Sequence, residues 1–323
     1  MLPSLPHRRR WVLPSVRAVL AASRELLLDC GEGVRLQAFW ATPRAGAAPA
    51  RVAVLLHGWE GSAESLYMLS LAQHLFTRGF EVLRLNLRDH GATHHLNREL
   101  FHSCRLPEVI GALREIQALT GRALHLGGFS LGGNFMLRAA AAAREAQLRI
   151  ARVVAVSPVL DPHATLVALE RGFTAYHRYF VRKWTRSLLL KQAAWPSDYD
   201  FATLEQRASL RQMTSELVRR FTDFSSLEEY LRGYSIVGSR LAPLAVPATI
   251  ITALDDPIVP AHDLARLAPS AALRVIVTRR GGHCGFMERV RTSTWAERRA
   301  AVELDGNGEG ALPTTSARAS PES

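Results

Sequence analysis

The sequence predicts an α/β fold with a mostly parallel central sheet, helices on both of its faces, and an inserted helical cap. Two observations support this prediction. Short apolar runs alternate with helix-like segments over most of the 323 residues, which is typical of parallel strands joined by helices. Residues 161–243 contain no convincing core strand, so this interval is predicted to be a helical insertion. Sites in such sheets form at the C-terminal ends of the strands.

The two ends of the chain differ from this central part. Residues 1–22 are predicted to be an irregular, basic lead-in. Residues 301–323 are predicted to be a disordered tail, because residues 305–323 are rich in Gly, Ser, Thr and Pro and contain few apolar side chains. A single domain is therefore expected over residues 23–300. It begins with two apolar runs, at about 26–29 and 34–40, that flank a turn-like stretch and predict an antiparallel hairpin.

The parallel sheet is predicted from short apolar runs at residues 52–56, 82–87, 124–129, 153–156, 248–252 and 274–278. Between them, helical segments are predicted at residues 65–78, 106–119 and 134–147. Strands and helices that alternate in this way build a sheet covered on both faces.

Within the cap, an aromatic and aliphatic stripe recurs at helical spacing: Phe173, Tyr176, Phe180, Trp184 and Leu188. The usual meaning of such a stripe is packing onto the domain below. Two alternatives stay open, namely a lid that lines an acyl pocket and an amphipathic surface that contacts membrane lipid.

The net charge of +11 raises the question of nucleic-acid binding. The arginines are scattered, however, and Lys183 and Lys191 are the only lysines, a pattern that indicates compositional bias more than a binding face. We therefore expect no specific nucleic-acid partner, while a weak attraction to anionic membrane surfaces stays open. The sequence leaves the oligomeric state undetermined.

The cysteines indicate a reducing compartment. Cys30, Cys104 and Cys284 are far apart and form no CxxC pair, so neither a disulfide framework nor a zinc site is expected. No segment is apolar for long enough to cross a bilayer, and the N-terminal region does not match a signal peptide. A soluble, cytoplasmic protein is expected.

The most informative motif is Gly-Phe-Ser-Leu-Gly at residues 128–132, between a predicted strand and a predicted helix. A sharp strand-to-helix turn exposes its serine and brings two backbones close together, which favours glycine on either side. Ser130 is therefore a candidate nucleophile. The backbone N–H of Leu131, at the start of the helix, is expected to point at a developing oxyanion.

A serine hydroxyl needs an adjacent base, and that base needs a carboxylate to orient it. Asp255 and Asp256 follow the predicted strand at 248–252, and His283 lies in a glycine-containing loop after the strand at 274–278. Serine, acid and histidine thus occur in the order expected of a Ser-His-Asp triad on this scaffold. Asp256 is preferred as the acid, and Asp255 is expected to stabilise the turn.

The sequence His-Gly-Trp-Glu-Gly at residues 57–61 directly follows the first parallel strand. A loop at this place supplies a second backbone donor to the oxyanion, which we assign to the N–H of Trp59. His57 is expected to brace the loop, and Glu60 to be a brace or a solvated charge.

A histidine-containing stretch follows the next strand, with His90, His94, His95 and His102 near Asp89. These residues lack the regular spacing and additional carboxylates of a metal site. We expect no metal, and a loop beside the active site is the preferred interpretation.

Taken together, these motifs resemble the α/β-hydrolase superfamily, and more narrowly its YheT-like esterase branch, related to the embryogenesis-associated and ABHD-type hydrolases. The resemblance covers about residues 25–290 and depends on the stretches at 57–61, 128–134, 255–257 and 281–286. It implies an α/β-hydrolase fold and a cofactor-free serine esterase with Ser130, His283 and Asp256 as its triad.

The expected function is hydrolysis of carboxylic esters with apolar acyl groups, on a small-molecule or lipid substrate, through an acyl-enzyme. Two alternatives stay open. The same triad serves an acyltransferase in which an alcohol or thiol replaces water, and the same fold serves a ligand-binding protein without turnover. Acyl length and alcohol group are not determined by the sequence.

Overall fold

A computed structural model describes residues 6–43, 51–201, 209–288 and 293–306 of the protein. Eight strands form one sheet in the order β1-β2-β4-β3-β5-β6-β7-β8. They are β1 (Ser23–Asp29), β2 (Arg35–Ala41), β3 (Val52–Leu56), β4 (Glu81–Leu85), β5 (Leu124–Phe129), β6 (Ile150–Val156), β7 (Ala248–Ala253) and β8 (Leu273–Thr278).

The sheet is antiparallel only at its first edge. Strand β1 pairs with β2, and β2 with β4, in antiparallel fashion, whereas β4, β3, β5, β6, β7 and β8 follow one another in parallel. The predicted hairpin and the mostly parallel sheet are thus confirmed. All five residues of β3 are buried because helices cover both faces of the sheet.

Ten helices are described: α1 (Pro6–Ser15), α2 (Arg17–Ala21), α3 (Leu66–Phe76), α4 (Leu106–Thr120), α5 (Leu131–Ala141), α6 (Pro162–Arg171), α7 (Thr174–Ala194), α8 (Leu210–Phe221), α9 (Leu227–Gly233) and α10 (Trp295–Asp305). Short 3₁₀ turns lie at Ser239–Leu241 and Ala261–Arg266. None of the helices in the described ranges is long and apolar enough to cross a membrane.

The sheet separates two hydrophobic cores. Val54 and Leu56 of β3 face a core shared with α4 and α5, while Ala53 and Leu55 of the same strand face a core shared with α3 and α10. This alternation along one strand follows from the period of two in β-structure. The sheet is therefore the middle of three layers.

The two ends of the domain extend further than the sequence analysis predicted. Helices α1 and α2 replace the expected irregular segment over residues 6–21, because Val12, Val16 and Val19 form a buried apolar face that packs beside α3. At the other end, α10 buries Ala301 and Leu304, so the ordered chain continues past residue 300. The predicted tail from residue 307 onward lies outside the described residues.

The inserted cap consists of α6 to α9, between β6 and β7. Four of the five predicted stripe residues face inward: Leu188 is buried, Tyr176 packs against the core, and Phe180 and Trp184 contact the ring of Trp59 at centroid distances of 5.4 and 5.1 Å. The fifth, Phe173, precedes the helix and is 71% exposed. The aromatic side of the cap thus lies directly on a loop at the C-terminal edge of the sheet.

Candidate active site

Ser130 lies at the turn between β5 and α5, in a strained backbone conformation with φ of 52° and ψ of −119°. Non-glycine residues rarely adopt positive φ, and such strain persists only where the surroundings impose it. One constraint is the Ser130 N–H, which donates to the Val156 carbonyl of the neighbouring strand at 2.8 Å. The turn thereby presents the hydroxyl above the edge of the sheet.

The glycines around the serine are required by close backbone contacts. A Cβ on Gly128 would lie 2.5 Å from the backbone of Gly132, and a Cβ on Gly132 would lie 2.3 Å from the Leu56 carbonyl oxygen. Carbon atoms do not approach this closely without a shift. The Gly-x-Ser-x-Gly pattern therefore follows from packing α5 against β5 and β3.

Three of the sequence-predicted residues meet at this edge of the sheet. His283 Nε2 lies 2.9 Å from Ser130 Oγ, and His283 Nδ1 lies 3.0 Å from Asp256 Oδ2. Because an ionised carboxylate only accepts hydrogen bonds, Nδ1 carries a proton, and in the neutral ring Nε2 accepts from the serine hydroxyl. Asp256, His283 and Ser130 form one continuous hydrogen-bonded chain.

The two adjacent aspartates have separate partners. Asp256 Oδ1 accepts from the N–H groups of Ile258 and Val259, which fixes the carboxylate facing the imidazole. Asp255 Oδ1 accepts from the N–H groups of Gly281 and Gly282 at 2.7 and 2.8 Å. One carboxylate thus contacts the histidine ring, and the other holds the loop that carries the histidine.

Burial and charge act in opposite directions on this pair. Burial disfavours the imidazolium, but the Asp256 carboxylate outweighs burial and raises the pKa of His283 above its ordinary value. For Asp256, burial alone would raise the pKa, and the facing His283 lowers it instead. Asp256 is therefore ionised at neutral pH and favours a positive charge on the ring.

The loop after β3 approaches the serine from the other side. A Cβ on Gly58 would lie 3.1 Å from Ser130 Cβ, so this loop is in contact with Ser130. The Gly61 N–H donates to the Gly58 carbonyl at 2.9 Å, which closes a β-turn with Trp59 and Glu60 as its central residues. We call Gly58–Gly61 the donor turn. Trp59 and Leu131 both lie beside Ser130 in the cavity wall.

Two further contacts hold this region. The His57 Nδ1–H donates to the Gly58 carbonyl at 2.8 Å, and His57 Nε2 accepts from the Leu87 N–H at 3.2 Å. Burial lowers the pKa of His57 to about 4, so the ring is neutral and can use one nitrogen as donor and the other as acceptor. His57 thus joins the loops after β3 and β4.

A cavity of about 600 Å³ opens above Ser130. Its wall on the cap side includes the apolar side chains of Leu166, Leu169, Leu217, Val218 and Phe221, together with the polar side chains of Thr165, Lys183, Thr214 and Thr222. Trp59, Tyr67 and Phe101 belong to the wall formed by the catalytic domain. The cavity is thus enclosed between the cap and the edge of the sheet.

In the histidine-containing stretch after β4, His90 and His94 are held by internal contacts. His90 Nδ1 donates to the Arg88 carbonyl at 2.7 Å, and His94 Nε2 lies 2.9 Å from Ser187 Oγ of α7. Burial lowers the pKa of His94 to about 4. Within the described ranges, no group of three or more His, Cys, Asp or Glu side chains is arranged to hold a metal ion.

Sequence reasoning missed the residues that attach the cap. The Asn134 amide donates to the carbonyls of Val159 and Tyr234, both at 2.8 Å, and so joins α5 to the segments before α6 and after α9. Lys183 and Lys191 of α7 reach the loops after β3 and β4. The signal available in the sequence is the presence of just two lysines in an arginine-rich chain. The interpretation of this pattern as compositional bias does not explain why both lysines contact the site loops.

A nucleophile elbow at the C-terminal edge of a mostly parallel sheet, under a helical cap, defines the class of α/β hydrolases. Residues 52–290 match the family model described as the alpha/beta hydrolase fold, and the chain belongs to this family. The predicted resemblance to the YheT-like esterase branch is confirmed by the relatives of the chain. It is 28% identical over 241 residues to "Putative esterase YheT" of Escherichia coli (strain K12), across 72% of this chain and 70% of that protein.

Solved structures share the fold at low sequence identity. A membrane phospholipase A, described as a novel bacterial virulence factor, has a TM-score of 0.57 and 17% identity, with 93% of this chain and 92% of that chain covered. Est1E from Butyrivibrio proteoclasticus has a TM-score of 0.53 and 15% identity, with 87% and 99% covered. These likenesses establish the architecture of the chain.

Proposed function

We propose that the protein is a cofactor-free carboxylic ester hydrolase that works through an acyl-enzyme on Ser130. The observation that carries this proposal is the continuous hydrogen-bonded chain from Asp256 through His283 to Ser130 Oγ, which ends in a cavity large enough for a small organic ester. The nucleophile, its base and the carboxylate that orients the base thus lie within hydrogen-bonding distance of one another.

In the first half of the reaction, Ser130 Oγ attacks the ester carbonyl carbon and its proton passes to His283 Nε2. The carbonyl oxygen becomes an oxyanion, which the backbone N–H groups of Leu131 and Trp59 stabilise. The C–O bond to the alcohol then breaks, and His283 returns the proton to the departing alkoxide. Asp256 stays ionised throughout and stabilises the transient imidazolium.

In the second half, His283 takes a proton from water, and the resulting hydroxide attacks the acyl-enzyme carbonyl carbon. The tetrahedral intermediate collapses as the bond to Ser130 Oγ breaks, and the proton on Nε2 returns to the serine. The products are a carboxylic acid and the free enzyme. An acyltransferase differs only in that an alcohol or thiol takes the place of this water.

Apolar acyl groups are favoured by the cap wall of the cavity. Five aliphatic and aromatic side chains there, Leu166, Leu169, Leu217, Val218 and Phe221, offer apolar surface, and the cationic cap side chain in the described lining, Lys183, donates to the Glu60 carbonyl. Removing apolar area from water contributes about 25 cal/mol per Å², so binding is expected to strengthen with acyl length until the cavity is filled.

Fluorophosphonate labelling combined with a panel of esters of graded acyl length tests the proposal. Wild type is expected to be labelled and to hydrolyse the panel, whereas Ser130→Ala loses labelling and about 10⁴-fold or more of kcat. Addition of a competing alcohol separates hydrolysis from acyl transfer by its products. An unlabelled wild type that retains an apolar ester without turning it over would instead support a binding protein.

The outer face of α7 favours a weak contact with anionic membrane surfaces. Arg178, Arg182 and Arg186 are exposed at four-residue spacing with Leu189 and Leu190 beside them, and the helix contains no acidic residue. Retention on phosphatidylglycerol vesicles at moderate salt, lost on replacing the three arginines with glutamine, would support this contact. Equal retention of both proteins would count against it.

A reducing, cytoplasmic location accords with the three free thiols of Cys30, Cys104 and Cys284. Fractionation of cells that express the tagged protein tests this location, and recovery from an extracytoplasmic fraction would contradict it.

A further inference from the structure

The chain contains 40 lysines and arginines but only two lysines, Lys183 and Lys191. Both lie on cap helix α7, and both direct their ammonium groups at the catalytic domain. An ammonium is a compact point charge with three donors, whereas a guanidinium is a broad planar fork. A chain that otherwise uses arginine thus has both of its lysines at contacts between α7 and the site loops.

Lys191 anchors the helix to the segment after β4. Its Nζ donates to Asp89 Oδ1 at 2.8 Å, to the Asn97 carbonyl at 2.5 Å and to the Glu99 carbonyl at 3.0 Å. The side chain is completely buried, and these three acceptors match the three N–H bonds of an ammonium. Lys191 therefore fixes the height of α7 above the sheet.

Lys183, about two turns earlier on the same helix, contacts the donor turn itself. Its Nζ donates to the Glu60 carbonyl at 2.6 Å. Glu60 has a φ of 57°, which a residue with a side chain adopts only where neighbouring contacts hold it. The bond from Lys183 is a contact of this kind, made to the carbonyl of the strained residue.

The side chain of the donor turn also lies on α7. The Trp59 ring stacks on Phe180 with an interplanar angle of 8°, and Trp184 meets it edge-on at 75°. Both the backbone and the largest side chain of this turn are thus held by one cap helix. The turn touches Ser130 on its other side through Gly58.

We infer that Lys183 is a positioning residue that holds the donor turn in the geometry in which the Trp59 N–H faces the oxyanion. The inference rests on the proposed function. It follows that the oxyanion hole is complete only while α7 contacts the donor turn. The cap then takes part in catalysis as well as in substrate selection. Without the bond, Glu60 is free to relax toward negative φ and to rotate the adjacent peptide groups of the turn.

The experiment compares Lys183→Met with Arg182→Met, a matched control at the neighbouring, exposed position of α7. For each protein, kcat and KM are measured with a medium-chain p-nitrophenyl ester, together with the Ki of an alkyl boronic acid. The boronic acid forms a tetrahedral adduct on the serine that carries an oxygen in the position of the oxyanion. Loss of one oxyanion donor costs about 10²- to 10³-fold in kcat, so a misplaced donor is expected to cost about 10- to 100-fold.

Lys183→Met is expected to lower kcat by this factor, with KM within about two-fold of wild type, and to weaken boronic acid binding in parallel. Arg182→Met is expected to leave all three values within about two-fold. Lys183→Arg, which keeps a charged donor, is expected to recover part of kcat. Thermal unfolding of each variant separates loss of fold from loss of positioning.

An unchanged kcat in Lys183→Met would overturn the inference, as would a lower kcat with undiminished boronic acid affinity, because either result leaves the oxyanion hole intact. Failure of the proposed function looks different. In that case wild type itself neither hydrolyses the ester nor reacts with a fluorophosphonate, and the inference fails with the function on which it rests.

Discussion

Replacement of Gly132 by alanine tests the packing that builds the nucleophile turn. The new Cβ would lie 2.3 Å from the Leu56 carbonyl oxygen and 2.4 Å from that of His57, where real Cβ contacts stay above 3.0 Å. The start of α5 must therefore separate from the end of β3 by about 0.7 Å, the difference between 3.0 and 2.3 Å. Both acceptors are backbone atoms, so no side-chain rotation relieves the contact.

This displacement separates the two halves of the oxyanion hole, because Leu131 moves with α5 and the donor turn moves with β3. A misplacement of about 1 Å costs about 10²-fold in rate, and overpacking costs about 1–3 kcal/mol of stability. We expect Gly132→Ala to lose about 10²-fold in kcat while it remains folded at 25 °C. Ester hydrolysis below the unfolding temperature, together with thermal denaturation, measures both effects.

Gly133→Ala is the matched control, since its Cβ would lie 3.1 Å from both the Ala155 Cβ and the Gly128 carbonyl oxygen, contacts that a shift of a few tenths of an ångström relieves. It is expected to keep kcat within a few-fold of wild type. Equal activity of wild type and Gly132→Ala would refute the packing argument, and so would equal losses in the two variants.

Three further predictions concern charge. Because Asp256 raises the pKa of His283, the acid limb of the pH profile of kcat/KM should lie above the ordinary histidine pKa of about 6.5. Asp256→Asn should move this limb to lower pH and reduce kcat about 10⁴-fold. A limb at unchanged pH in this variant would count against the coupling of Asp256 and His283. Burial raises the pKa of Glu60 from 4.5 to about 7, so folding stability present below pH 4.5 is lost as pH rises through 7. In denaturant titrations, the free energy of unfolding of Glu60→Gln relative to that of wild type should therefore increase by ~3 kcal/mol between pH 4 and pH 8. The same difference between the two proteins at both pH values would contradict this. Lys191→Met leaves the buried carboxylate of Asp89 unpaired and should cost about 3–5 kcal/mol in urea unfolding, partly recovered by adding Asp89→Asn; no recovery would point to lost packing instead.

The succession of strands along the chain, and the placement of Ser130, Asp256 and His283 after strand ends, could be predicted because each depends on local patterns. Apolar runs define the strands, and the residues that follow a parallel strand are carried to the same edge of the sheet. Which of Asp255 and Asp256 contacts the histidine was harder to predict, because two adjacent acidic residues before a proline give the same local pattern. Their partners, two glycine N–H groups and one imidazole, are set by the tertiary fold.

The N-terminal helices and the cap contacts could not be predicted for a related reason. Pro14 and Arg17 interrupt the apolar pattern at the start of the chain, yet Val12, Val16 and Val19 still share one buried face beside α3. Tertiary packing of this kind outweighs weak local propensity. Likewise, the role of Lys183 depends on a carbonyl 123 positions away along the chain, which no local pattern encodes.

The two lysines also give the protein an uncommon chemical property. Since Lys191 is completely buried, Lys183 is the single side-chain amine that solvent can reach, and in the docked cap its ammonium is engaged by the Glu60 carbonyl. An amine-acylating reagent would therefore modify one site in the cap, at a rate set by how often that contact opens. The rate of acylation of Lys183, measured by mass spectrometry, would therefore report how often α7 separates from the donor turn. The measurement needs no substitution or engineered label in the protein.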